Sequence, residues 1–181
     1  MSRTLIAGFG NVLRGDDAFG VEVIHRLETL GVGRVDVHVD AQPGIELMEV
    51  GTGGIRLAQE LLTPCDCLII ADAITRGGAP GTVYVLEVES VERVNQVDMH
   101  VAIPSHALSV AQALGVLPPR VVLVGCEPLV VDELMWDVSA PVRAAVEVAV
   151  EQIQNLLAAI DVSAKAELNA QSITPLQCSA A

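Results

Sequence analysis

A glycine-rich turn between a strand and a helix usually presents backbone N–H groups to an anion. The segment Gly8-Phe9-Gly10-Asn11-Val12-Leu13-Arg14-Gly15-Asp16-Asp17-Ala18-Phe19-Gly20 ends instead in two adjacent carboxylates, where a helix begins. The natural guest of such a turn is a cation, or a partner that carries one. Two further residues sit where a strand or loop hands over to a helix or turn: Asp72, after the apolar run Cys67 to Ala71, and His106, after Pro104-Ser105. Two carboxylates about 4 Å apart at an effective dielectric of 20 repel by about 4 kcal/mol, and a bound cation relieves that repulsion. Carboxylate oxygens with one imidazole nitrogen suit a borderline divalent metal better than calcium, which prefers oxygen throughout.

Each of these residues also has a plainer reading. Asp16 or Asp17 is placed to cap the helix that follows and to favour its positive end. Asp72 is placed to anchor a turn, and His106 to sit solvated near a helix start. His25, mid-helix, and His38, in a strand, are explained by packing or exposure, and His100 has no stronger claim. Nucleotide-binding patterns fail: G-x-G-x-x-G needs glycine where Leu13 stands, and a phosphate loop needs Lys before Ser or Thr where Asp16 and Asp17 follow Gly15. No G-x-S-x-G elbow is present. A phosphorylase or hydrolase would need basic ligands for its anion, and near the turn only Arg14 and Arg76 are candidates. Glu133 and Asp137 flank Met135 and Trp136, and read as a solvated rim around an apolar spot.

Composition narrows the partners. A formal charge of −13 repels nucleic acid and anionic membrane surfaces, whose binding relies on Lys and Arg. Hydrophobic residues make up 51% of the chain, yet only Phe9, Phe19, Tyr84 and Trp136 are aromatic, so the core must be Val, Leu, Ile and Ala. Cys65, Cys67, Cys126 and Cys178, in a chain without a basic-then-apolar leader, fit a reducing cytoplasm. Cys65-Asp66-Cys67 is too tight for a zinc knuckle. No apolar run reaches the roughly 18 residues of a membrane span.

The elements that would position these residues alternate between buried strands and helical segments, a rhythm that predicts a parallel sheet covered on both faces. The expected architecture is α/β: a three-layer, doubly wound, mostly parallel five-stranded twisted sheet with one antiparallel edge strand. Expected strands are Thr4 to Phe9, Val35 to Val39, Cys67 to Ala71, Thr82 to Val88 as the edge, and Arg120 to Val124, with a further short edge strand at Ile45 to Val50. Expected helices run from about Ala18 to Leu30, from the Gly51-Thr52-Gly53-Gly54 turn to Leu62, from Ser105 as N-cap to about Leu114, and from Pro141 to about Ile160. Residues 1–162 form one domain, and 163–181 read as a disordered tail of small and polar residues. In such sheets ligands collect beyond the carboxyl ends of the strands, where strand order reverses. If the first and third of these strands are neighbours, Asp17 and Asp72 approach each other.

Taken in order, Asp17, Asp72 and His106 make the chain resemble the nickel-iron hydrogenase maturation proteases. The segment Gly8 to Asp17 resembles that family's G-x-G-N-x-L-x-x-D-[DE] signature. Ile69-Ile70-Ala71-Asp72-Ala73 resembles its second acidic motif, Ala79-Pro80-Gly81-Thr82 its following turn, and Ser105-His106 its helix-start histidine. Gly125-Cys126-Glu127-Pro128 and Leu134 through Val142 resemble its last strand exit and final helix entry, so the likeness spans residues 4 to 160. Asp17 stands where some relatives carry Glu, Ala18 replaces a common glycine, and the 41–50 stretch is longer than the family's usual one.

The resemblance implies an endopeptidase that removes the C-terminal extension of a hydrogenase large-subunit precursor after nickel insertion. Asp17, Asp72 and His106 would then be catalytic and metal-binding together, gripping nickel carried by the precursor; a divalent surrogate could occupy the same place. Water would be activated either by a carboxylate acting as general base or by the metal polarising the carbonyl. The expected protein is a cytoplasmic monomer with no nucleic-acid or membrane partner. The alternative is a non-enzymatic nickel-binding accessory protein using the same ligands.

Overall fold

The computed structural model describes residues 3–35, 44–89, 102–131 and 133–171. Strand β1 (Thr4–Phe9) leads through a 3-10 turn (Gly15–Ala18) into α1 (Phe19–Thr29). Then follow β2 (Arg34–Val35), β3 (Ile45–Gly51), α2 (Gly54–Glu60), β4 (Cys67–Ala73), β5 (Val83–Glu87), α3 (Ala102–Ala113), β6 (Arg120–Cys126) and α4 (Ala140–Gln171). The sheet order is β2-β3-β1-β4-β6-β5, with β5 antiparallel to β6 and the other pairings parallel. Five full strands, four parallel and one antiparallel at the edge, form the expected sheet, and β2 adds a two-residue strip. The strand expected at Val35 to Val39 lies, beyond Val35, outside the described residues.

Each strand buries alternate residues on opposite faces. On one face Ile6, Ile69, Ala71 and Val124 pack with Phe19, Ile24 and Leu27 of α1 and Val142, Val146, Val150 and Ile153 of α4. On the other, Leu5, Ala7, Phe9, Leu68 and Ile70 pack with Leu57 of α2 and Ala107, Leu108 and Ala111 of α3. The central strands β1 and β4 are buried along their whole length, which is why they read as unbroken apolar runs. The edge strand β5 is only half-buried and accordingly alternates in sequence.

Several expected boundaries move. The strand from Ile45 pairs with β1 residue by residue, from Thr4 opposite Ile45 to Gly8 opposite Glu49, and among the described residues only the two of β2 lie on its other side. Helix α1 stops at Thr29, where Val32 N–H bonds Leu27 O at 3.1 Å around Gly31 in the left-handed region, leaving Leu30 exposed. Helix α3 begins at Ala102, so Ser105 lies inside it and is not its N-cap; Pro104 is tolerated because it stands in the first turn. Residues 163–171, expected to be disordered, continue α4 to Gln171. Ala164, Lys165, Ala166, Glu167 and Leu168 are strong helix formers with no Gly or Pro among them, a propensity that small-and-polar composition conceals.

The glycines of the first turn have a steric task. A Cβ on Gly20 would collide with the carbonyl oxygens of Ala71 and Phe9, and one on Gly8 with the Gly20 carbonyl oxygen. Helix α1 therefore starts in backbone contact with the ends of β1 and β4. Replacing Gly20 by Ala should gain about 1 kcal/mol of helix propensity but lose about 3 kcal/mol to the collision, the upper end for overpacking because the obstructing atoms are backbone. Urea unfolding of Gly20→Ala should therefore show a net loss of stability.

Candidate active site

The carboxyl ends of β1 and β4 face a cleft of about 160 Å³ lined by Asp17, Asp72, Ala73, Ile74, Thr75, Pro104, Ser105, Leu123, Pro128 and Val131. Asp17 reaches it from the 3-10 turn, which folds back over the end of β1 because Gly10, at φ +131°, leaves no side chain in the way of the Asp17 carbonyl. Its carboxylate accepts a hydrogen bond from the backbone N–H of Asn11 at 3.0 Å, which fixes its direction. Asp72 is the penultimate residue of β4, paired across the sheet with Gly125 of β6. It is 6% exposed.

Burial pushes the Asp72 carboxyl well above the usual carboxylate range, and the negative charge of Asp17 adds to the rise; the backbone N–H of Ala73 opposes it. Two acidic groups from distant parts of the chain thus meet with little water, and among the described residues no basic side chain lines their cleft. The arrangement disfavours two full negative charges until a proton or a cation arrives.

His106 behaves differently. Its neighbours Pro104 and Ser105 line the cleft, but His106 itself is exposed on α3 and is not among the lining residues. Among the described residues no three His, Cys, Asp or Glu side chains stand close enough to hold a metal ion together. The structure therefore brings Asp17 and Asp72 together and leaves His106 one residue outside. Arg14 and Arg76 do not line the cleft either. Arg76 lies instead over the Tyr84 ring, 5.6 Å from its centre.

Two buried carboxylates with structural duties escaped the sequence reading. Asp16 caps neither the 3-10 turn nor α1. It is fully buried and its Oδ2 accepts from the N–H of Leu129 (2.8 Å) and Val130 (3.0 Å) and from the Ser139 hydroxyl (2.9 Å), while Oδ1 accepts from Ser139 N–H (2.6 Å). Its own N–H donates to Val130 O at 2.9 Å. Asp16 therefore ties the turn that carries Asp17 to the loop that supplies Pro128 and Val131.

Glu127 does the same for the opposite wall, accepting from the N–H groups of Arg76 (2.8 Å) and Gly77 (3.1 Å) and from the Tyr84 hydroxyl (3.0 Å). The Arg76 N–H leads the interactions that hold the Glu127 carboxyl below the usual range. The signal for Asp16 was a second acidic residue beside one already assigned; only its partners, more than a hundred positions away, identify its task.

The fold is doubly wound α/β, and two acids line the cleft at the carboxyl ends of adjacent parallel strands, where neither a nucleotide loop nor a serine elbow stands. A family model of hydrogenase maturation proteases matches residues 32–156. The chain is 31% identical over 154 residues to the hydrogenase 2 maturation protease of Escherichia coli, covering 83% of this chain and 88% of that protein. It is 32% identical over 177 residues to the hydrogenase expression/formation protein HupM of Azotobacter chroococcum, covering 96% and 80%. Among solved structures it is similar to the hydrogenase-maturating endopeptidase HybD of E. coli, with a TM-score of 0.69, 31% identity and coverage of 89% and 93%. A hydrogenase maturation protease from Thermococcus kodakarensis matches with a TM-score of 0.66 at 25% identity, covering 86% and 92%. The chain belongs to the hydrogenase maturation protease family and is an endopeptidase.

Two measurements check the roles of these acids. Asp16→Ala leaves four part-buried donors without their acceptor and should cost roughly 1–3 kcal/mol in urea unfolding, with Asp16→Asn intermediate. Asp72 has the opposite effect on stability. The folded state holds its proton more tightly than the unfolded chain, whose value is about 4, so this residue lowers stability progressively as pH rises above that point. Asp72→Asn removes the loss: its Tm should exceed the parental one at pH 7 to 8, and the two should converge towards pH 4.

Proposed function

We propose that this chain removes the C-terminal extension of a nickel-iron hydrogenase large-subunit precursor, and that it does so once nickel is in place because Asp17 and Asp72 meet that nickel. The observation that carries the reading is the buried Asp72 carboxyl, raised by desolvation and by Asp17, in a cleft that no basic side chain lines among the described residues. A divalent ion arriving with the substrate neutralises the pair and replaces the proton on Asp72. Such an ion therefore binds more tightly as pH rises through the raised Asp72 value. A precursor without nickel brings no charge to do this, and a difference of a few kcal/mol between the two forms is a selectivity of about a hundredfold or more.

His106 enters as the third ligand from the adjacent helix. It stands next to the cleft-lining Ser105, and its exposed ring is available to an ion that the precursor presents at the mouth. The bond to be cut lies beside the same ion, where either a carboxylate draws a proton from the attacking water or the ion polarises the carbonyl. The buried thiols Cys65, Cys67 and Cys126 are all free, as suits action in a reducing cytoplasm. Among the described residues no helix is long and apolar enough to cross a membrane.

Mass spectrometry of nickel-loaded and nickel-free precursor after incubation with the protein tests this directly. Only the loaded form should lose its extension. Asp17→Asn, Asp72→Asn and His106→Ala should each slow that cleavage by about a hundredfold or more while remaining folded. Parental rates in all three variants would overturn the site assignment.

A further inference from the structure

A parallel bridge between Arg14 and Met135 joins the acidic turn to the loop before α4, with Met135 N–H bonded to Leu13 O at 3.1 Å and Gly15 N–H to Met135 O at 2.9 Å. Met135 packs against Gly15, where an added Cβ would lie 3.1 Å from the Met135 Cε. Its neighbours point elsewhere: Leu134 is 89% and Trp136 82% exposed, and Val12, Leu13 and Leu129 are exposed on the same two segments. Scattered surface apolar residues need no explanation, but five large ones gathered on two bridged segments do. Only one tryptophan exists in the chain, and it is spent on solvent.

The patch is continuous with the cleft. Pro128 and Val131, which line the cleft, belong to the same loop as Leu129, Leu134 and Trp136. Its charged border among the described residues includes exposed Glu133 and Asp137, whose carboxylate is 88% exposed although Arg143 stands 4.0 Å away. The whole chain carries a formal charge of −13. A partner here must bring apolar side chains for the centre and positive charge for the rim, since a tryptophan anchor in an apolar centre with a polar rim carries protein recognition and complementary charge steers it.

We infer that the Leu13, Leu134 and Trp136 surface is the docking site of the protein substrate, taking an apolar segment of it flanked by Lys or Arg. This rests on the precursor being the substrate, but it assigns a second contact, away from the acidic pair and independent of the metal. Nickel then decides whether cleavage occurs, whereas the patch decides whether the precursor is held. Separating the two lets the protein engage its substrate before the metal arrives.

The lone tryptophan makes a direct probe. With 5-fluorotryptophan at position 136, titration with nickel-free precursor should shift or broaden the single fluorine resonance although no cleavage follows. The exposed-surface variant Leu13→Ser/Leu134→Ser should melt as the parent does and lose that response. On nickel-loaded precursor its kcat/KM should fall at least tenfold, chiefly through KM. An unmoved resonance at precursor concentrations where the loaded form is cleaved would overturn the inference and leave the proposed function standing. A resonance that moves with the concentration of the chain alone would also overturn it, by giving the patch to a second copy. If neither precursor form is cleaved, the proposed function fails, and the Trp136 response still decides the docking site.

Discussion

The carboxylate of Asp16, sealed from water and satisfied by Leu129, Val130 and Ser139, is the constraint around which the active-site end is organised. A buried anion is tolerated only when its lone pairs are filled, and here the filling comes from a loop more than a hundred residues away. Because of that, the turn carrying Asp17 and the loop carrying Pro128 and Val131 cannot move independently. The second wall is built on the same plan around Glu127 and the backbone of Arg76 and Gly77. Two structural acids thus hold the walls of a cleft that two other acids, Asp17 and Asp72, line.

Of the two acids that line the cleft, Asp72 is poorly satisfied. Asp72 is as secluded as a core residue but its neighbour is another acid, so its folding contribution is unfavourable at neutral pH. Stability is given up at a buried pair of acids, and such perturbed carboxyls are found most often at functional sites. The contrast with Asp16 is instructive: two buried carboxylates have opposite energetic roles because Asp16 faces donors and Asp72 faces an apolar surround and the carboxylate of Asp17.

Much of the architecture could be read from the chain. Unbroken apolar runs at Thr4–Phe9 and Cys67–Ala73 mark central parallel strands, and alternation at Val83–Glu87 marks the antiparallel edge. Pairing was less legible. The partner of β1 on its open side is Ile45–Gly51, a strand half-buried along much of its length and therefore weakly patterned. Helix ends were missed where a proline looked like a start, at Pro104, and where small residues looked like a tail, after Ile160. The apolar spot around Met135 and Trp136 was visible as composition, but its bridge to Arg14 was not.

By itself the sequence determined the fold class, the glycine spacing that lets α1 start against the strand ends, and the identity of the two acids that share the cleft. These follow from local rules: periodicity, steric size, and side-chain charge at strand ends. Tertiary structure alone decided that Asp16 is structural while Asp17 lines the cleft, that Glu127 braces the opposite wall, and that His106 stands just outside the acidic pair. Each of those depends on which donors, carbonyls and charges converge from distant segments, and burial in a medium that screens charge poorly turns that convergence into the energies that separate their roles.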